Sequence, residues 1–275
     1  MSSPVVTQTR KRFHELRVFL SAVMFYTRIP VKYELVDEDG LLQKATRYLP
    51  LIGLMVGAVS ALGFYLVSFV APAGIAAVVA MTLAVLMTGA FHEDGFVDTC
   101  DGFGGGWTVE QTLSIMKDSR IGTYGGIGLF LSLLLRFLLI AEIAHAGTAM
   151  TAATAIVLSH SLGRLVPVYV IAASSYVRLD ETSKVKPVAK GVSVVSVGIA
   201  TIVAAAIVFG LTGLWTVAFA APAAALVLAL MCRVWFHRHI GGYTGDTLGA
   251  AEQIGELAVL AVLVVLPQVL HLTWL

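Results

Sequence analysis

The chain has 275 residues, of which 58% are hydrophobic and 13% are charged, and its mean hydropathy is +0.88. A soluble domain cannot normally bury so much apolar surface, so the composition excludes an ordinary globular protein and predicts an all-α, polytopic membrane protein. The formal net charge of +1 gives no information about partners. Because the sequence contains no nucleic-acid-binding motif, nucleic acid is not an expected partner, and the lipid bilayer is.

The N-terminal segment is basic and then briefly apolar. We expect residues 1–15 to be flexible and residues 16–28 to form a helix too short to cross a bilayer, which therefore lies at the interface or re-enters the membrane. The apolar run ends at Arg28 and Pro30 without a small-residue cleavage site, so a cleaved signal peptide is not expected.

Seven longer apolar segments follow, most of them near the ~20 residues that cross about 30 Å of hydrocarbon. They lie near 48–71, 75–91, 124–146, 149–174, 191–213, 215–236 and 254–273. The whole chain, 1–275, is therefore expected to be a single membrane-embedded domain with about seven spanning helices and the short N-terminal helix.

The distribution of positive charge predicts how these segments are oriented. Of the 18 Lys and Arg residues, 16 lie before the first span or in the 92–123, 175–190 and 233–253 segments, all on one side of seven alternating crossings. The other two, Arg136 and Arg164, lie inside spans. The positive-inside rule then places the N-terminus and these loops in the cytoplasm and the C-terminus outside, with the protein in the cell (inner) membrane.

Four carboxylates stand close together after the second predicted span. Asp94, Asp98 and Asp101 are spaced i, i+4 and i+7, so a helix would place them on one face, where like charges repel unless a cation lies among them. A set of oxygen ligands favours Mg²⁺ over Zn²⁺. Glu93 points about 100° away from Asp94, so it either supports these ligands without touching the ion or binds a second ion. His92 alone is more often a hydrogen-bonded interfacial residue than a ligand.

A glycine-rich run comes next. Gly104, Gly105 and Gly106 precede a capping-box sequence, Thr108-Val109-Glu110-Gln111. A flexible linker has the same composition, but glycines that enter a helix N-terminus offer backbone N–H groups to a phosphate. We therefore interpret the run as a candidate phosphate site.

A short charged turn then contains Lys117, Asp118 and Arg120. It is either a cap for the next span or a diphosphate site. In the second case Arg120 binds phosphate oxygens as a fork, Lys117 adds a point charge, and Asp118 completes a metal site or acts as a base.

The remaining candidates are isolated charges. Arg136 and Arg164, with His160 one turn before Arg164, should face the bundle interior, because a cation in mid-membrane is expensive. They form either structural ion pairs, with Glu142 as one partner, or a polar substrate pocket. Asp246 precedes the last span, where the simpler interpretation is a helix N-cap.

These motifs resemble cobalamin synthase, the adenosylcobinamide-GDP ribazoletransferase family. The resemblance rests on His92-Glu93-Asp94-Gly95-Phe96-Val97-Asp98, Asp101-Gly102-Phe103-Gly104-Gly105-Gly106 and Ile115-Met116-Lys117-Asp118-Ser119-Arg120-Ile121-Gly122-Thr123-Tyr124-Gly125, and also on Phe25-Tyr26-Thr27-Arg28-Ile29-Pro30, Leu49-Pro50-Leu51-Ile52-Gly53, Arg164 and Gly242-Tyr243-Thr244-Gly245-Asp246-Thr247-Leu248-Gly249-Ala250.

The resemblance implies a cytoplasm-facing membrane transferase of late cobalamin synthesis. Such an enzyme joins α-ribazole, or its 5′-phosphate, to adenosylcobinamide-GDP and releases GMP with the help of Mg²⁺. The residues expected to do this are the metal ligands Glu93, Asp94, Asp98 and Asp101, the further catalytic residues Asp118 and Asp246, the phosphate-binding residues Lys117, Arg120, Gly104, Gly105 and Gly106, and the substrate-lining residues Arg28, His92, Arg136, His160 and Arg164.

Two other classes compete with this interpretation. A CDP-alcohol phosphotransferase also uses several aspartates on membrane helices, but its Asp-Gly-x-x-Ala-Arg pattern is not matched after Gly95. A divalent-cation transporter would place ionisable residues deep in several helices, whereas here the acids cluster in one segment. The sequence leaves the oligomeric state open.

Overall fold

The structure is a computed structural model that describes residues 14–32, 40–177 and 191–269. The expectation that residues 1–15 are flexible falls outside these ranges except for His14 and Glu15, which belong to a helix. The basic loop at 178–190 and the end of the last predicted span also lie outside them.

The described residues form twelve α-helices and no β-strand, which confirms the all-α prediction. The helices are α1 (His14–Tyr26), α2 (Leu41–Ala45), α3 (Leu49–Val67), α4 (Ala73–Thr88), α5 (Phe91–Gly105), α6 (Val109–Ile115), α7 (Thr123–Ala146), α8 (Ala149–Gly163), α9 (Leu165–Ala173), α10 (Val194–Thr212), α11 (Trp215–Ile240) and α12 (Gly245–Val269).

Six of these elements are long and apolar enough to cross a membrane: α2 continued into α3, α7, α8 continued into α9, α10, α11 and α12. A seventh crossing results if α4 and α5 are one bent span, so the prediction of about seven is confirmed. The protein is therefore a multi-pass membrane protein. The N-terminal helix, at 13 residues, is short, as expected.

The second predicted span contains an unexpected right-angle bend. Helix α4 has 16 residues, and its axis meets that of α5 at 91°. Two residues in the left-handed conformation, Gly89 (φ 69°) and Ala90 (φ 57°), make the turn. The backbone N–H of Arg28 donates to the carbonyl of Met87 at 2.7 Å, and the Arg28 guanidinium lies against Gly89, where a Cβ would collide with it. This cation is favourably placed at the C-terminus of α4.

Another break lies between α8 and α9, at Arg164. Pro167 explains its position, because proline has no N–H to donate to the carbonyl of residue 163 and its ring clashes with that carbonyl. The break leaves Arg164 fully buried against α12, where a Cβ on Gly163 would touch Glu256.

The last span begins earlier than predicted, at Gly245 instead of near residue 254. A reciprocal pair starts it: the Thr244 N–H donates to Thr247 Oγ1 at 2.9 Å, and the Thr247 N–H donates to Thr244 Oγ1 at 3.3 Å. Thr244 is therefore the N-cap, and the interpretation of Asp246 as the cap is wrong.

Helix α5 crosses the start of α12 with almost no space between the backbones. A Cβ on Gly95 would lie 2.8 Å from the carbonyl oxygen of Asp246, and one on Gly249 would lie 3.0 Å from that of His92. Small residues permit such close approach between membrane helices. The acidic segment is thus held against α12.

Replacing Gly95 by Ala should force α5 and α12 apart and destabilise the protein by about 1–3 kcal/mol, as overpacking does elsewhere. The matched control is Gly198→Ala in α10, where no atom of the described residues outside the local helix backbone lies within 4 Å of the added Cβ. The measurement is thermal unfolding of the detergent-solubilised protein, and equal stability of the two variants would contradict the close crossing.

Candidate active site

The four acids predicted near residue 94 do lie on a helix, α5, but their exposure differs. Asp94 is exposed and Asp98 is half-buried, whereas Glu93 and Asp101 are buried. The predicted helical face is therefore present, and its accessible part is Asp94 and Asp98, one turn apart.

Asp101 has a structural role that the sequence did not suggest. Its two carboxylate oxygens accept the backbone N–H groups of Gly122 at 2.7 Å and Gly125 at 2.8 Å. These are orphan donors at the start of α7, so Asp101 caps that helix from a distance. The assignment of Asp101 as a metal ligand stays a prediction. To bind a metal, Asp101 would have to use the oxygen lone pairs that these two hydrogen bonds do not occupy.

The glycine run packs α5 against its neighbours. The ring of Tyr124 lies on Gly104, and Thr112 lies on Gly106, so a Cβ at either position would collide. Gly105 is more open, with Ile115 Cδ1 3.3 Å from the position of a Cβ. Close packing therefore accounts for two of these glycines, and the phosphate-binding role of all three stays a prediction.

The predicted capping-box sequence does start a helix, α6. Thr108 Oγ1 accepts the Gln111 N–H at 3.3 Å, but Gln111 Oε1 accepts from Trp107 instead of from Thr108. The helix thus begins where the sequence predicts. Of the two hydrogen bonds of a capping box, the one to the Gln111 side chain comes from the residue before the N-cap.

Asp118 and Arg120 bind each other in the turn before α7. The Arg120 Nε–H lies 3.0 Å from both Asp118 oxygens, and the Arg120 backbone N–H also donates to Asp118. These hydrogen bonds lower the pKa of the Asp118 carboxyl to about 2. A carboxylate with so low a pKa is a weak proton acceptor, so Asp118 is a poor base while the pair is intact. Lys117 is exposed in the same turn.

Both mid-membrane arginines contact the same acid, Glu256 of α12. Arg136 Nη2 lies 2.9 Å from Glu256 Oε2, and Arg164 Nη1 lies 2.8 Å from Glu256 Oε1. His160 Nδ1 contacts the same Oε1. All four side chains are buried, so these are desolvated ion pairs, and removing one partner is costly.

The network continues from Glu256 towards α5. Arg164 also lies 2.9 Å from Glu252 Oε1, without hydrogen-bond alignment. Gln253 then connects the two helices: its Oε1 accepts from Arg136 at 2.8 Å, and its amide donates to Glu252 at 2.9 Å and to Glu93 at 3.4 Å. The acidic helix is therefore joined to the membrane interior through Glu93.

This network answers the question that the sequence left open for Arg136 and Arg164. They are ion-paired, and the partner considered for them, Glu142, is exposed on α7. The acids that the sequence analysis missed are Glu252 and Glu256. A signal was available, because two buried cations require buried anions and Glu256 lies inside the segment predicted at 254–273. The late predicted start of that span hid Glu252.

Within the described residues, one group of three side chains brings possible ligand atoms within 4.8 Å of one another, namely His160, Glu252 and Glu256. Arg136 and Arg164 already supply positive charge to it. The group is therefore explained by ion pairing, and Mg²⁺ is better matched to the accessible side of α5.

The acids of α5 fit Mg²⁺ by their donor chemistry. Asp94 and Asp98 offer accessible oxygens one turn apart, and the buried Oε2 of Glu93 has no hydrogen-bond partner among the described residues. Mg²⁺ is usually held by one or two carboxylates, with water and substrate phosphate as its other ligands. Asp94, Asp98 and Glu93 are thus the residues that would hold it.

The other predicted site residues surround the same helix. The backbone of Asp246 packs against Gly95, and Gly95 lies between Asp94 and Asp98 in the sequence of α5. Arg28 is exposed at the bend before α5. His92 is buried at the first turn, with its ring parallel to that of Tyr26.

The model of the cobalamin-5-phosphate synthase family matches residues 18–264 of this chain. The chain belongs to that family. It is thus a transferase of cobalamin biosynthesis, as the resemblance implied.

Curated relatives cover almost the whole chain. Adenosylcobinamide-GDP ribazoletransferases of Shewanella frigidimarina and Shewanella amazonensis are 44% and 45% identical to it over 247 and 252 residues. The alignments cover 90% and 92% of this chain and 94% and 96% of those proteins. The enzyme of that name from Shewanella baltica strain OS185 is 44% identical over 272 residues, with 95% and 99% covered. No solved structure matches the chain.

Replacing Glu256 by Gln should destabilise this family member by about 3–5 kcal/mol, because buried Arg136 loses its carboxylate partner and buried Arg164 keeps only Glu252. Glu142→Gln removes the same charge from an exposed position of α7 and serves as the control. The fraction of monodisperse protein after heating in detergent measures the difference. Equal heat resistance of the two variants would show that the network is unimportant for stability.

Proposed function

We propose that this protein is an adenosylcobinamide-GDP ribazoletransferase. It transfers the adenosylcobinamide phosphate group from its GDP-activated form to α-ribazole, or to α-ribazole 5′-phosphate, and releases GMP. The observation that carries the proposal is the crossing at Gly95, where Asp246 of α12 meets the helix that bears Asp94 and Asp98. The backbone of Asp246 thereby lies against the helix that carries the two aspartates, which supports a site shared by both elements.

The reaction exchanges one P–O bond for another. A ribose hydroxyl oxygen bonds to the phosphorus that carries the cobinamide, the bond from this phosphorus to the bridging oxygen breaks, and GMP leaves with that oxygen. The hydroxyl proton passes to a base. Such transfers depend on positioning and charge neutralisation more than on covalent chemistry by the protein.

We assign metal binding to Asp94 and Asp98, with Glu93 and Asp246 beside them. Mg²⁺ bound there would neutralise charge that develops on the diphosphate and on the departing GMP. Glu93 is oriented by Gln253, and Asp246 is positioned by the first turn of α12.

Arg120 and Lys117 are the proposed diphosphate ligands. Both are exposed in the turn that Asp101 ties to α5 through Gly122. When Arg120 moves to a phosphate, Asp118 loses the hydrogen bonds that hold its pKa near 2 and becomes a stronger base. The same exchange prepares Asp118 either to bind metal or to accept the hydroxyl proton.

We further propose that the site faces the cytoplasm and that the protein lies in the inner membrane with its C-terminus outside. This orientation is supported by 16 of the 18 Lys and Arg residues falling on the side of the N-terminus. Nucleotide-activated substrates are found in the cytoplasm, so a site on the cytoplasmic side agrees with the proposed reaction.

Asp98→Asn should lower turnover by several orders of magnitude, because the metal site loses a charge, while the protein still inserts into the membrane, because the amide has nearly the shape of the carboxylate. Asp101→Asn should instead destabilise the protein by about 1–3 kcal/mol, since its amide cannot accept both backbone N–H groups of α7. The assay follows GMP release from adenosylcobinamide-GDP and α-ribazole with Mg²⁺ and with a chelator.

Wild-type turnover by Asp98→Asn would contradict the metal assignment. GMP release that persists at full rate in the chelator would contradict the use of Mg²⁺. Failure of the wild-type protein to form a cobamide from these two substrates would overturn the proposed function itself.

A further inference from the structure

An apolar groove lies between the spans α8–α9, α10, α11 and α12 and has a volume of about 330 Å³. Its lining includes Leu162, Val208, Ala224, Met231, Ala258 and Val262. All of its lining side chains are aliphatic apart from the Met231 thioether, and all four spans are long and apolar enough to cross a membrane. The groove therefore lies at the depth of the bilayer hydrocarbon, and its side chains offer a ligand apolar contact alone.

The groove exists because small residues face it from two neighbouring spans. Helix α11 contributes Ala221, Ala224 and Ala225, and α12 contributes Gly255 and Ala258. These residues are too short to close the gap between the helices at the observed spacing. Protein interiors rarely leave a void larger than a water molecule, and an apolar cavity stays dry, so the groove matches an apolar guest.

One side of the groove is open to the bilayer and the other is closed. Val227 and Met231 of α11 and Val262 of α12 line its rim and are exposed on the surface of the spans. Leu162 of α8 and Val208 of α10 line its floor and are buried. A guest can thus enter sideways from the membrane without passing through water.

The volume of the groove distinguishes between two apolar guests, a helix of a second copy of this chain and an acyl chain of a lipid. A cavity of about 150 Å³ holds one benzene ring, so the groove, at about 330 Å³, holds roughly a dozen carbon atoms. A helix with its side chains is about 10 Å across, and a cylinder of that width with the volume of the groove would be only about 4 Å long, less than one turn. The groove is therefore too small for a helix and matches a chain of methylene groups.

We propose that the groove binds an acyl chain of a membrane phospholipid, which enters between α11 and α12. About a dozen carbon atoms of the chain lie in the groove, and the headgroup stays with the surrounding lipids. This binding site is separate from the reaction proposed above and does not depend on it.

The bound chain would support the helices that carry the buried ion pairs. Leu158 and Leu162 face the groove, whereas His160, two residues from each, points about 200° away on α8 and contacts Glu256. On α12, Gly255 borders the groove and Glu256 follows it. The acyl chain thus packs against α8 on the side opposite His160 and against α12 beside Glu256.

The test uses the full-length protein in nanodiscs of dioleoylphosphatidylcholine that contain a phosphatidylcholine with a diazirine in mid-chain. Light attaches the diazirine to residues that touch the chain, and mass spectrometry of peptides locates the attachment. The wild type should be labelled on the buried floor, at Leu162 or Val208, as well as at exposed positions such as Phe130 of α7. Absence of floor labelling would overturn the proposal, because the chain would then touch the outer surface alone.

Two variants fill the groove from opposite walls. Ala224→Trp on α11 and Ala258→Phe on α12 should each reduce floor labelling by about fivefold or more, because the added ring takes the volume of the chain. Ala223→Trp is the matched control, since Ala223 is also exposed on α11 but does not line the groove, and it should leave floor labelling unchanged. Equal labelling of Phe130 in all four proteins shows that each remains folded.

Equal floor labelling in the wild type, Ala224→Trp and Ala258→Phe would overturn the proposal, since a filled groove cannot hold the chain. Floor labelling that Ala223→Trp lowers as much as Ala224→Trp would also overturn it. A dimer seen by native mass spectrometry, cross-linked between copies at the groove and without floor labelling, would place a second copy there instead. None of these results depends on cobamide formation, so the proposed function is tested separately.

Discussion

The interaction on which the rest of the structure depends is the buried contact of Glu256 with Arg136, His160 and Arg164. Two guanidinium groups within membrane spans are tolerable only when a counter-charge is fixed beside them. The carboxylate on α12 meets this need for α7 and α8 at once. One carboxylate therefore connects three spans, α7, α8 and α12.

The same network also contacts the acidic helix, α5. Gln253 accepts a hydrogen bond from Arg136 and donates one to Glu93. The close crossing at Gly95 also holds α12 against α5. At the other end of α5, Asp101 fixes the start of α7. The acidic helix is thus anchored at both ends, which suits a site whose chemistry depends on holding two large substrates and their charges in place.

Much of the architecture could be predicted from the sequence. Long apolar runs and a segregated charge pattern determine the number of spans, and the spacing of Asp94, Asp98 and Asp101 correctly predicts a helix. The right-angle bend before α5 could not be predicted, because it depends on Arg28 packing over Gly89. Periodicity along a chain contains no information about such a contact.

The site was predicted less completely, for a similar reason. The sequence shows which residues are acidic, but the packing of the helices decides which of them are exposed. Asp94 and Asp98 remain accessible, whereas Asp101 is turned towards backbone donors of another helix. Glu252 was missed because the start of α12 was placed too late. Glu256 lay inside the predicted span, but its importance follows from two cations that are distant in sequence.

The most direct measurement is hydrogen–deuterium exchange of α5 in the full-length protein after Gln253→Met, which keeps the length of the side chain and removes its hydrogen bonds. If the buried network orders the acidic helix through Gln253, the amides around Glu93 will exchange faster than in the wild type, and those of α10 will not change. Equal protection of α5 in both proteins would contradict that dependence.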